Sequence, residues 1–155
     1  MKYYDSNYQI FNQNYKSKFL LLCDHATNRI PQFISKTQLG LSNKELNQHI
    51  SYDIGAKELA LKLAEYLRAP LVLSNFSRLV IDPNRSTKDP TSIMQIYDGT
   101  IISGNCNLSK KQVKDRKINF YDVYHEAISR FIKNNSPSCI VSIHSFTPQL
   151  NMQPP

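Results

Sequence analysis

Residues 18–25 read KFLLLCDH, an apolar run of strand length that ends abruptly in an acid and an imidazole, Asp24 and His25. A short unbroken apolar run, without alternation, is the pattern of a strand buried on both faces, as in a parallel sheet covered by helices on each side. The run is read as a central strand. Residues 139–144, CIVSIH, repeat the arrangement and deliver His144 and Ser145 at their end. In open α/β sheets the functional crevice lies outside the carboxyl ends of the strands, so two imidazoles delivered there can meet at one point.

Working outward, Ser42 and Glu45 have the spacing of a capping box, in which hydroxyl and carboxylate satisfy orphan amides at a helix start. Leu46, Ile50, Ile54, Leu61, Leu63 and Leu67 then recur at roughly helical spacing until Pro70, predicting a helix or helix pair to about Arg68. Leu71 to Asn75 and Arg78 to Asp82 are the next strand candidates. Ser109 with Gln112 repeats the capping pattern, and Val113, Phe120, Tyr121, Tyr124, Ala127, Ile128, Phe131 and Ile132 mark a second long amphipathic helix. Residues 1–17 are rich in Asn, Tyr and Lys without a period and read as an irregular lead-in, leaving 18–155 as one domain. Alternating strands and helices argue for an α/β fold with helices covering a mostly parallel sheet.

The composition agrees with a single domain: 155 residues, 41% hydrophobic and 20% charged. No apolar run approaches the roughly 20 residues of a membrane helix, and the first residues lack the apolar core of a secretory signal, so the cytoplasm is expected. The net charge of +7 raises nucleic acid as a partner. The one dense cluster, Lys110, Lys111, Lys114, Arg116 and Lys117, lies on the second long helix, where a solvated face is the plainer reading and nucleic acid is disfavoured. Cys23, Cys106 and Cys139 share no CxxC spacing and read as buried reduced thiols.

Two strand-end imidazoles suit a metal. A third ligand could come from Asn28, three residues after His25, but a neutral amide is a poor zinc ligand, and Asp53 is the better chemical choice. His49 and Asp53 are four apart in HISYDIGA and would share one helical face, which Ile50 and Ile54 turn inward. In SRLVIDPNR, residues 77–85, Arg78 and Arg85 offer planar forks that match a carboxylate, beside Asp82 and Asn84. The plainer reading there is a surface turn built on Asp-Pro-Asn.

Together these segments resemble the N-formylglutamate amidohydrolase family: CDHATNRIP at 23–31, HISYDIGA at 49–56, SRLVIDPNR at 77–85, DGT at 98–100 and IHSFTP at 143–148 look like its successive blocks, in order. The resemblance implies a three-layer α/β/α fold, zinc-carboxypeptidase-like (phosphorylase/hydrolase-like), with a mostly parallel or mixed sheet. It implies hydrolysis of N-formylglutamate, a small acidic N-acyl amino acid, to formate and glutamate. On it, His25, His144 and Asp53 hold zinc or another divalent metal; Arg85, helped by Asn84 and Arg78, fixes the substrate carboxylate; His49 orients Asp53 or a metal histidine. Family members continue into a second half that supplies further strands and an acidic catalytic residue, whereas no Asp or Glu follows His144 here. The chain therefore reads as the N-terminal portion of such an enzyme, its fold incomplete at the C-terminus and its catalytic acid unassigned, weakly active or inactive alone unless a separate chain supplies the other half. The alternatives are a non-catalytic remnant binding metal or acidic metabolites, and a small basic nucleic-acid-binding protein.

Overall fold

The structure, a computed structural model, describes residues 7–148. The ends of the expected lead-in and domain, residues 1–6 and 149–155, lie outside it. Ten elements follow in order: β1 (Tyr8–Phe11), β2 (Phe19–Cys23), α1 (Asn43–Leu46), α2 (Ala56–Tyr66), β3 (Leu71–Ser74), β4 (Ile96–Tyr97), β5 (Thr100–Ile101), α3 (Lys110–Arg116), α4 (Val123–Asn135) and β6 (Cys139–Ser142), with short 3-10 turns between. Four strands form one mixed sheet in the order β1-β3-β2-β6. β2 runs parallel to both β3 and β6, while β1 is antiparallel to β3.

β2 is central, as its sequence predicts, and its residues divide between two cores. Leu21 and Cys23, with Leu71 and Leu73 of β3, pack against Ala56, Ala60 and Ala64, a stripe of small side chains that brings α2 close to the sheet. Leu20 and Val72 face the other way, onto Phe120, Tyr124, Ile128 and Phe131 of the α3–α4 segment. The sheet thus carries helices on both faces. α3 and α4 are joined by a wider π-type turn at Lys117–Asp122. Arg116, Phe120, Tyr124 and Ile128 are all buried at a spacing of four, and an α-helix of 3.6 residues per turn would rotate that row off one face; the wider turn takes up the drift.

Several expectations are corrected. The lead-in is not irregular throughout: Tyr8 and Ile10 pack into the α4-side core, and the four-residue strand flanked by polar residues is too short for its period to register. The helix expected from Ser42 to Arg68 is broken. Its capping box forms, with the Glu45 amide donating to Ser42 Oγ and the Ser42 amide to Glu45 Oε2, but α1 lasts one turn. The chain then turns until Gly55, whose φ of +79° starts α2 in a conformation that disfavours any side chain. His49 and Asp53 therefore do not share a helical face. Arg78 to Asp82 is a turn rather than a strand, its Leu79, Val80 and Ile81 buried between elements without joining the sheet.

β6 is where its sequence places it, yet its four residues are exposed. Among the described residues it is an edge strand, beyond the reach of both helical layers. Cys139 is consequently exposed and Cys106 half-buried, so of the three thiols only Cys23 is the buried one expected.

Candidate metal centre

β2 and β6 are adjacent and parallel, so the residues after each strand emerge side by side. His25 and His144 stand with ring centroids 5.1 Å apart. Asp53 arrives from the loop before α2, fixed by its amide donating to the His25 carbonyl at 3.0 Å. One oxygen lies 3.3 Å from His25 Nδ1 and the other 2.8 Å from His144 Nδ1. One ligand atom from each of the three side chains falls within 4.8 Å of the others.

Two outer carboxylates grip the far nitrogens of the rings. His25 Nε2 is 2.8 Å from Asp82 Oδ1, and His144 Nε2 is 3.3 Å from Asp24 Oδ2. Asp82 is fully buried and also accepts from Arg78 Nε and the Asn84 amide, while an Arg78 guanidinium nitrogen sits 2.7 Å from its second oxygen. Burial opposes its ionisation, but His25 and Arg78 outweigh that and lower its pKa to about 2. Asp53 shows the same balance: burial raises it, and the imidazoles of His144 and His25 beside it hold it well below the carboxylate range. His144, between Asp24 and Asp53, is raised to about 9. With Nε2 committed to Asp82, His25 Nδ1 is buried and faces Asp53 at 3.3 Å without a well-aligned hydrogen bond. A buried imidazole nitrogen aimed at a carboxylate oxygen and a second imidazole is a donor set that fits zinc.

The triad forms the floor of an open cavity of about 640 Å³, whose walls include His49, Arg78, Asn84, Tyr97 and Ser145. The Arg78 guanidinium lies over the Tyr97 ring at 5.4 Å and reaches within 3.5 Å of Asp53. His49 does not orient Asp53: its Nε2 faces Asp98 at 3.2 Å, and its ring meets Tyr97 edge-on. Arg85 is not among the lining residues; its guanidinium donates to Thr91 Oγ1 at 2.6 Å and sits 3.4 Å from Asp82. Asn28 is turned away, donating to the Leu46 carbonyl and to Asn47 Oδ1.

Tyr97, Asp98, Tyr124 and Ser142 were not singled out by sequence reasoning as part of the site, and Asp24 was noted at the strand end without the role of holding His144. Asp98 was legible only as the first residue of the DGT block, a tight hairpin turn with positive φ at Asp98 and Gly99. Tyr124 reads as core from its helical spacing, and only its hydroxyl contact reveals more. The basic cluster is split: Lys110, Lys111 and Lys114 are exposed, Lys117 is paired with Asp122, and Arg116 is buried.

The chain is thus an α/β protein with a mixed sheet and a His-His-Asp cluster, a candidate metal site, at the carboxyl ends of its strands. The chain belongs to the N-formylglutamate amidohydrolase family, whose model matches residues 17–154. It is similar to a solved structure, gene product Atu2144 from Agrobacterium tumefaciens, with a TM-score of 0.89 and 34% identity over 93% of this chain. The match spans 58% of that longer chain. No curated protein matches the sequence.

Proposed function

We propose that the chain is an N-formylglutamate amidohydrolase-like hydrolase of zinc-carboxypeptidase-like architecture, acting on the amide of a small acidic N-acyl amino acid. The observation that carries this reading is the convergence of both Nδ1 atoms on Asp53, with the His25 nitrogen buried and lacking a well-aligned hydrogen bond, in a chain of this family. His25, His144 and Asp53 would hold zinc or another divalent ion. Such an ion would supply Lewis acidity, polarising the scissile carbonyl and activating water.

The chain's own residues do the rest. Arg78 and Asn84 present donors on the cavity wall for the substrate carboxylate, and Arg85, next to Asn84, would join them only by leaving Thr91. That anchorage sets the amide over the triad. His49, backed by Asp98, is the imidazole of the cavity wall outside the triad and is placed to exchange a proton. The reading also includes a further polypeptide beside β6, supported by the exposure of that strand and by the greater length of the solved relative.

A second reading, binding of metal and acidic metabolites without turnover, is favoured by one observation. Asp53 is the sole carboxylate residue lining the cavity among the described residues, so no separate acid is there to assist hydrolysis. A formate-release assay with N-formylglutamate and added zinc separates the two, run with and without a polypeptide corresponding to the unmatched part of the relative. Formate released by the parent and lost in the His25→Ala, His144→Ala double variant supports hydrolysis. Zinc binding with no formate under either condition leaves the second reading, and equal formate from parent and double variant sinks the first.

A further inference from the structure

The geometry points to Asp24 as the positioning residue that makes His144 a metal ligand through Nδ1, with Tyr124 and Ser142 as the anchors that aim it. This inference rests on the metal-site reading above and adds the groups that orient one of its ligands. Asp24 follows β2 directly and is buried, and its carboxylate meets Ser142, the last residue of β6, and the outer nitrogen of His144. One oxygen accepts from Tyr124 Oη at 2.8 Å; the other accepts from Ser142 Oγ at 2.8 Å and faces His144 Nε2 at 3.3 Å. Ser142 Oγ also lies 3.1 Å from His144 Nε2. Three elements, β2, α4 and β6, thus send one group each to a single point behind the His144 ring.

The consequence is a choice between the two ring nitrogens. Both ring nitrogens face accept-only carboxylates, Nε2 toward Asp24 and Nδ1 toward Asp53, but only Nδ1 is also turned to His25; an ion held among those three would take Nδ1 and leave the ring proton on Nε2, where Asp24 accepts it. Without Asp24 the ring could rotate or present the other nitrogen, because β6 is an exposed edge strand and His144 lies two residues beyond it. Tyr124 matters because it is fully buried and reaches across from the opposite layer, fixing Asp24 from a rigid helix. Outer carboxylates that hold a ligating imidazole in this way are worth about 10- to 100-fold in metal affinity.

The test uses the full chain, measuring zinc affinity by competition with a chromophoric chelator and the His144 ring by proton–nitrogen correlation NMR of the zinc-loaded protein. Asp24→Asn keeps the shape and weakens the acceptor; Tyr124→Phe removes only the anchor. Asp24→Asn is expected to weaken zinc binding about 10-fold, Tyr124→Phe by less, and both to speed solvent exchange of the His144 Nε2 proton. A structural role alone would lower the melting temperature and leave that proton protected. If Asp24→Asn unfolds, Tyr124→Phe carries the same readouts. Folded variants with parental zinc affinity and a protected Nε2 proton would overturn the inference while leaving the metal site standing. A parent chain that binds no zinc would overturn both.

Discussion

Replacing Arg116 by Met should destabilise the protein by about 2 to 4 kcal/mol, although this residue sits in the middle of a run of lysines that invites reading as surface. Its guanidinium is 3% exposed and has no carboxylate partner; it donates to the Val80 carbonyl at 3.0 Å, Asn105 Oδ1 at 2.7 Å and the Gly104 carbonyl at 3.3 Å. Burial alone lowers its pKa to about 10, so the group remains charged at neutral pH. Asn105 in turn donates to the Leu79 and Met94 carbonyls, so one guanidinium ties α3 to the turn from Ser77 to Asp82 that carries Arg78. Met matches the stem but leaves at least two buried acceptors unpaired, each worth about 1 to 3 kcal/mol, partly offset by the guanidinium's own desolvation. For a domain of this size the melting temperature should fall by roughly 4 to 16 °C. Thermal and urea unfolding followed by circular dichroism measure it, with Lys110→Ala as an exposed control expected within about 0.5 kcal/mol of the parent. An Arg116→Met variant as stable as that control would refute the reasoning and return Arg116 to the solvated face.

Zinc at about 100 times its dissociation constant should stabilise the chain by about 2.7 kcal/mol, raising the melting temperature by roughly 5 to 11 °C; chelator should reverse the shift, and the His25→Ala, His144→Ala variant should not show it. Asp82→Asn should lower stability by about 3 to 5 kcal/mol in urea titrations, since it leaves buried His25 and half-buried Arg78 without their carboxylate, and a value below 1 kcal/mol would contradict the network. Arg85→Lys should leave folding intact and weaken N-formylglutamate binding by about 1.5 to 3 kcal/mol by calorimetry; unchanged affinity would assign the carboxylate to Arg78 and Asn84 alone. Burial, with the Asp24 charge beside it, pushes the Cys23 thiol up to about 12, so iodoacetamide at pH 8 should label exposed Cys139 and spare Cys23, as read by peptide mass spectrometry.

The parts of this fold that were legible in the sequence are those whose pattern is local. KFLLLC is apolar at every position because both faces of β2 are covered, and the Ser42–Glu45 and Ser109–Gln112 boxes are closed within four residues. The two histidines could be paired from sequence because each ends a strand, and strand ends converge by topology. What failed was judged by period where tertiary contacts decide. Ile50 and Ile54 suggested a helix through His49 and Asp53, but the backbone there bonds instead to the His25 carbonyl and to Ser77 Oγ. Leu79, Val80 and Ile81 carry strand-like composition yet are buried as a turn, because Asn105 and Arg116 satisfy the carbonyls of Leu79 and Val80 that a sheet neighbour would otherwise take.

The same distinction explains why the grouping of His25, Asp53 and His144 was readable and its support was not. A ligand must be an imidazole, thiolate or carboxylate, a short menu that can be searched along a chain. An orienting group needs only one hydrogen bond in the right place, and Tyr124, Ser142 and Asp24 are separated by up to 118 residues of chain from the partners they touch. Their identities become informative only once β2, β6 and α4 are laid side by side. At that point His25 and His144 are seen to be held alike, each with Nε2 against a carboxylate and Nδ1 turned to Asp53. Asp82 comes from a buried turn and Asp24 from a strand end, so the likeness is not a repeat of sequence. It is what two imidazoles require if both are to present the same nitrogen to one ion.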